Sequence, residues 1–279
     1  MTEQTIPYQQ RGWSLSDLVS SPDVQALDAE FARLSEAVKS FAEETRPKLT
    51  AEISTETFLE IIHTYEELTR SAAHLNGYAD LSFAANTQDQ TAQTLLARVQ
   101  QFMAEMRNQT LFFELWWKQL DGTAAERLLA ISGDYRYWLE EMRHFKKYTL
   151  SEPEEKIINL KDVTGASAIN NLYDSITNRY TYKLTVDGKE QEITRGELMV
   201  FVRQSDPHLR ARAYQELYRV YGNDAPILGQ IYQTLVRDWR NENISLRGFS
   251  TPLAVRNLVN DIPNEVVDTL LDICQKNTP

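Results

Sequence analysis

Residues 150–184 read LSEPEEKIINLKDVTGASAINNLYDSITNRYTYKL. Ser151 stands where a helix should begin, and Glu154 follows three positions later. That is the spacing of a capping box, in which the hydroxyl accepts from one orphan backbone N–H and the carboxylate reaches back to another. Glu152, Pro153, Glu154 and Glu155 fill the first turn, where negative charge meets the positive end of the helix dipole and proline forfeits no hydrogen bond. The pattern predicts a stop near Thr164-Gly165, with Gly165 as the C-terminal cap. A second helix is expected next, with Ile169, Leu172, Ile176 and Tyr180 on one face. Tyr180, Tyr182, Leu184 and Val186 then alternate with Thr181, Lys183 and Thr185, the period of a half-buried strand. Asp187-Gly188 signals a two-residue type I′ turn and Lys189–Ile193 a return strand. This register puts Val186 opposite Lys189, Lys183 opposite Glu192 and Tyr182 opposite Ile193. The hairpin, at about 180–193, is expected to be the only β structure.

Upstream of this stretch the pattern is helical. After an extended lead-in over residues 1–24, anchored by Trp13 and Leu15, Ser21-Pro22-Asp23 opens a first helix. Its stripe is Leu27, Phe31, Leu34, Val38 and Phe41, and Pro47 ends it. A second helix starts near Ser54 with Phe58, Ile62, Tyr65, Ala72 and Leu75, and Asn76-Gly77 gives a stop signal. A third, long helix carries Leu95, Val99, Phe102, Met106, Phe113, Trp117 and Leu120. Phe112, Phe113, Trp116 and Trp117 form an aromatic patch, read as core packed from two sides rather than as a contact surface. A short helix, a break at Ser132-Gly133 and a helix through Tyr135, Trp138, Leu139, Met142 and Phe145 follow. Arg143, His144, Lys146 and Lys147 are read as a solvated helix end, where cations favour the negative pole of the dipole.

Downstream, Thr194 with Glu197 forms another capping box. Ser205-Asp206-Pro207 opens a helix through Ala213, Leu217 and Val220. Asn223-Asp224-Ala225-Pro226 opens one through Leu228, Ile231, Leu235 and Trp239. Asn264 is expected to cap a last helix through Val267, Leu270, Leu271 and Cys274. The fold class is therefore mainly α, antiparallel helical bundle lobes with one small hairpin.

The order Leu150–Ile157, Thr164-Gly165, Leu172-Tyr173-Asp174 and Tyr180–Leu184 resembles the oligoendopeptidase F branch, M3B, of the M3 zinc metallopeptidases. Further matches are Arg210-Ala211-Arg212-Ala213-Tyr214, Asp238-Trp239, Arg247-Gly248-Phe249 and the run from Arg256 to Ile262-Pro263. The resemblance covers most of residues 13–279 and is strongest from Leu150 onward. It implies a division into residues 25–148, an N-terminal helical lobe; residues 149–203, a segment with the hairpin; and residues 204–279, the start of a catalytic helical domain. It also implies hydrolysis of short peptides by one zinc, held by two histidines of a His-Glu-x-x-His helix and a downstream glutamate.

That motif does not occur in the sequence. His63, His74, His144 and His208 are the four histidines, none is followed by Glu, and none has a His four residues on. No catalytic, metal-ligating or substrate-binding residue can therefore be carried over. Zinc is expected in a full-length family member and not in this chain, which is expected to be inactive alone. The resemblance makes it look like the first half of such an enzyme, a wall of the substrate chamber whose partners are an oligopeptide and a C-terminal half. The last helices would then present Val267, Leu270, Leu271 and Phe249 to that half. The alternatives are a stand-alone helical scaffold that binds through Phe112–Trp117, and an inactive homologue that binds peptides without cutting them.

Composition agrees with a globular helical protein. The 279 residues are 42% hydrophobic and 25% charged, with few glycines (10) and prolines (9) to interrupt helices. A net charge of −11 disfavours sequence-independent binding to nucleic acid. Cys274 is the single cysteine. It permits no intrachain disulfide, points to a reducing, cytoplasmic setting, and is read as a small buried apolar side chain. No secretory leader or membrane span is expected. The glutamate pairs at 43-44, 66-67, 140-141 and 154-155 are read as solvated faces or caps, and Asn108-Gln-Thr and Asn243-Ile-Ser as chance glycosylation matches. No phosphate-binding glycine loop, Gly-x-Ser-x-Gly elbow or Cys-x-x-Cys pair occurs.

Overall fold

A computed structural model describes residues 13–20 and 22–278. Residues 1–12 of the lead-in and Ser21 lie outside the described residues. Three long helices form the first part: α1 (Val24–Thr45), α2 (Thr55–Ala85) and α3 (Gln90–Gln119). Each begins on a side-chain cap: Asp23 accepts from the N–H of Ala26, Ser54 from Thr57 and Asp89 from Thr91. Their connections are short, so neighbours run antiparallel. The expected α1 stripe is buried in full, with Leu34 and Val38 almost inaccessible.

The packing forms two apolar layers. One joins Leu27, Phe31, Leu34, Leu75, Ala79, Phe83, Leu96 and Val99. The other is aromatic and gathers Phe41, Phe58, Phe112, Phe113 and Trp117 with residues of α4 (Gly122–Leu129) and α5 (Arg136–His144). Trp117 stacks on Phe58 at 5.4 Å between ring centroids and donates its indole N–H to the carbonyl of Leu139 at 2.7 Å. Phe112, Phe113 and Trp117 are thus core, as read from the sequence, and they offer no binding patch.

Helix α6 (Glu152–Asp162) packs on α3, and a kink at Gly165 within residues 163–167 separates it from α7 (Ala168–Thr177). The Ser151–Glu154 capping box is present. The hairpin β1 (Tyr182–Val186) and β2 (Lys189–Ile193) pairs in the expected register. Asp187 and Gly188 both take positive φ, 51° and 77°, as a type I′ turn requires. Its inner face, Tyr182 and Leu184, packs with Leu198 of α8 (Arg195–Phe201) and with Ala213 and Val220 of α9 (Pro207–Asn223). Helix α10 (Ala225–Arg240), a π-helical turn at Asn241–Leu246, α11 (Pro252–Val259) and α12 (Asn264–Asn277) complete the fold.

Several expectations fail for identifiable reasons. Helix α2 does not stop at Asn76-Gly77, because Leu75, Ala79 and Phe83 all bury against α1 and α3, and this burial outweighs the glycine's propensity cost. The stop expected near Thr164-Gly165 is present, but Gly165 is not a left-handed cap: its φ and ψ of −102° and −110° are non-helical and mark a kink between two helices. Leu172 is 49% exposed, and Tyr180 lies beyond α7, where its hydroxyl bonds Asp224. Trp13 is 92% exposed and is not buried against the described residues, whereas Leu15 is half-buried. Pro263, not Asn264, occupies the N-cap position of α12. Cys274 is exposed, because α12 packs little of its surface on the rest of the chain. Phe249 is buried, whereas Leu270 and Leu271 are exposed and Val267 is half-exposed.

Candidate functional site

The two helical groups meet along α3, α5, α6 and the turn before α11, and a cleft of about 390 Å³ opens there. Leu111, Glu114 and Lys118 of α3, Trp138, Glu141 and Met142 of α5, and Glu155 and Asn159 of α6 line it. Arg247 and Phe249 come from the Arg-Gly-Phe turn. Gly248 has φ +75°, a left-handed backbone that glycine adopts without strain. The reversal it makes lays Phe249 flat on Tyr148, with ring centroids 3.5 Å apart and 10° between planes.

The turn also delivers Arg247 to Glu155. Its two terminal nitrogens donate to both carboxylate oxygens at 2.7 and 2.9 Å, and it binds Glu242 and the carbonyl of Tyr148. Glu155 additionally accepts from the backbone N–H of Leu150. Burial opposes ionisation of Glu155, but Arg247 and that N–H outweigh it and hold the carboxyl below its ordinary range. The guanidinium of Arg247 is correspondingly raised by Glu155, against its own desolvation. Glu155 is therefore neither a solvated face nor a cap. The sequence showed its place in the first turn of α6, but not the arginine waiting 92 positions downstream.

On the α3 wall, Tyr65 donates to Glu114 at 3.3 Å, and Lys118 lies 3.6 Å from the same carboxylate. Burial first, and then Glu114, pushes the Tyr65 hydroxyl well above its usual value. The basic cluster is not simply solvated. Arg143 donates to the carbonyls of Trp117 and Leu120 at 2.6 and 2.9 Å, closing the C-terminus of α3. Lys146 and Lys147 are exposed. Asn108 is a structural residue, donating to the carbonyl of Lys156 and accepting from Asn159.

The four histidines are scattered. His63 of α2 bonds Tyr135, His74 and His208 are exposed, and His144 ends α5. Among the described residues, the one group of three or more acidic, His or Cys side chains close enough to share an ion is Glu141, His144 and Asp261. It contains a single histidine, so the residues present do not match a two-histidine zinc centre. The sequence offered no signal for this group, since Asp261 arrives from the end of α11. Tyr137 donates its hydroxyl to Asp261, and that bond pushes the phenol up to about 12.

Comparison with known proteins agrees with this architecture. A family model described as Oligopeptidase F matches residues 116–182, the span from the end of α3 to the first strand. The group B oligopeptidase PepB of Streptococcus agalactiae is 24% identical over 241 residues, covering 81% of this chain and 38% of that protein. This chain is related to the N-terminal portion of oligoendopeptidase F. An oligoendopeptidase F homolog of Borreliella burgdorferi is 20% identical over 276 residues, 96% of this chain and 44% of its own length. The crystal structure of oligoendopeptidase-F from Enterococcus faecium superposes with a TM-score of 0.73 at 21% identity, over 91% of this chain and half of that one. The chain thus spans less than half the length of these curated relatives. Among the described residues no helix is long and apolar enough to cross a membrane.

Proposed function

We propose that these residues form one wall of the substrate chamber of a cytoplasmic zinc peptidase that hydrolyses short peptides. In this reading the wall holds and orients an extended peptide and limits access to the chamber. A His-Glu-x-x-His helix outside the 279 residues would supply ligands for a zinc, and the chemistry that ion would bring is activation of a water. The observation that carries the reading is the cleft between α3, α5 and the Arg-Gly-Phe turn, in a chain related to oligopeptidases. Its lining alternates apolar side chains (Leu111, Trp138, Met142) with charges of both signs (Glu114, Lys118), a mixture suited to a peptide's side chains and polar backbone. The exposed apolar faces of α10 and α12 would receive the complementary half. A free-standing scaffold binding through Phe112–Trp117 is disfavoured, because Phe112, Phe113 and Trp117 are buried.

The test is cleavage of a quenched fluorescent oligopeptide by this chain alone and by the chain co-expressed with a C-terminal half from a relative. Cleavage only by the pair, lost when the supplied His-Glu-x-x-His is mutated, is expected. Cleavage by this chain alone, or by the supplied half without it, overturns the proposal.

A further inference from the structure

Helix α5 carries Tyr137, Glu141 and His144 at steps of four and three, so all three project from one face. The turn after α11 brings Asp261 to that face, where Tyr137 donates to its carboxylate. A carboxylate oxygen of Glu141, a ring nitrogen of His144 and a carboxylate oxygen of Asp261 all lie within 4.8 Å of one another. The Nδ1 of His144 is 3.0 Å from Oε1 of Glu141. Among the described residues Oε1 has no hydrogen-bond donor, although it is closed off from solvent, and neutral His144 gives it no ion pair. A closed-off carboxylate oxygen without a donor is costly.

A metal ion removes that cost. Ligand atoms about 2.0–2.2 Å from one zinc, at angles between octahedral and tetrahedral, lie about 2.8–3.6 Å apart. The separation of Nδ1 and Oε1 falls in this range. Glutamate and histidine at i and i+3 are a ligand pair that one helix face can present to one ion. His144 and Asp261 are exposed, so a small rotation of either closes the set. Tyr137 would orient the Asp261 carboxylate, as outer hydrogen bonds do at metal centres. We propose that Glu141, His144 and Asp261 form a site for a first-row divalent cation such as zinc. One imidazole nitrogen and two carboxylate oxygens leave a position for water. The ion would clip the α11–α12 turn to α5 at the rim of the cleft.

The test is titration of the metal-free 279-residue chain with Zn²⁺ by calorimetry and with Co²⁺ by visible absorption. Both are done in a Cys274→Ser background, to silence the exposed thiol, with hydrogen exchange read at the α11–α12 turn. One equivalent should bind, and amides around Asp261 should gain protection. His144→Ala and Asp261→Asn should each weaken binding at least about tenfold, while His63→Ala leaves it unchanged. Both ligand variants alter exposed side chains, so circular dichroism should show unchanged helicity. No stoichiometric binding, or one-equivalent binding that survives His144→Ala with helicity intact, overturns the proposal.

Discussion

Arg247 donates to both carboxylate oxygens of Glu155, at 2.7 and 2.9 Å, and so ties the turn before α11 to the first turn of α6. Their side chains are only 17% and 11% exposed. Arg247→Ala would leave Glu155 charged, buried and short of its main partner. We expect a loss of about 2–4 kcal/mol, near the lower end for a buried pair broken on one side. Replacing both partners, as Arg247→Met with Glu155→Leu, should cost less than Arg247→Ala, because no charge is stranded. Urea denaturation of the three proteins checks this; a double variant less stable than Arg247→Ala would refute it.

Glu152 gives acid sensitivity to the same helix start. Hydrogen bonds from Arg46, at 2.9 Å, and from Lys156 outweigh its burial and hold its carboxyl down at about 2, against an ordinary 4.5. A carboxyl depressed in the folded state contributes fully above its unfolded value. That contribution disappears as pH falls from about 4.5 towards 2. Glu155, also depressed, changes stability in the same direction. The wild-type chain should therefore lose stability over that interval more steeply than Glu152→Gln, as thermal melts across pH 2–6 would show. Parallel curves would rule out the Arg46–Glu152–Lys156 cluster as a source.

Gly77 sits inside α2, where glycine costs about 0.5–1 kcal/mol relative to alanine. A Cβ there would meet Leu18 Cδ1 at 3.6 Å, an ordinary contact, and no positive φ is required. Gly77→Ala should therefore stabilise the chain by about that amount, seen as a higher denaturation midpoint with an unchanged slope. Destabilisation would mean that the packing of Leu18 against α2 is tighter than it looks.

The same glycine shows how far the sequence could be read. Local signals with their own chemistry were legible: the Ser151 and Thr194 capping boxes, the Asp187-Gly188 turn with its register, and the stripe of α1. Gly77 was read as a stop because a window of sequence shows its propensity, but not the helices that pack across it, whereas the break at Gly165 was legible. The site was less legible still. Glu155–Arg247 and Glu141–His144–Asp261 join residues far apart in sequence, and each carboxylate looks locally like a surface charge. Cys274 was misread for the opposite reason: its apolar neighbours suggested burial, yet α12 leaves them in solvent.

That helix supports a further prediction. Val266, Leu270, Leu271 and Ile273 of α12 are each 53–59% exposed, and Tyr232 and Val236 of α10 are open as well. Exposed apolar faces of this kind drive association. The 279-residue chain should self-associate with rising concentration, giving a weight-average mass above 32.2 kDa in light scattering. Leu270→Glu with Leu271→Glu should restore the monomer without loss of helicity, since neither side chain belongs to a core cluster. A wild-type chain that stays monomeric at high concentration would show that the α12 face needs no cover. Association that persists in the double variant would move the contact to the tyrosines of α9 and α10, where Tyr218 and Tyr232 are the most exposed.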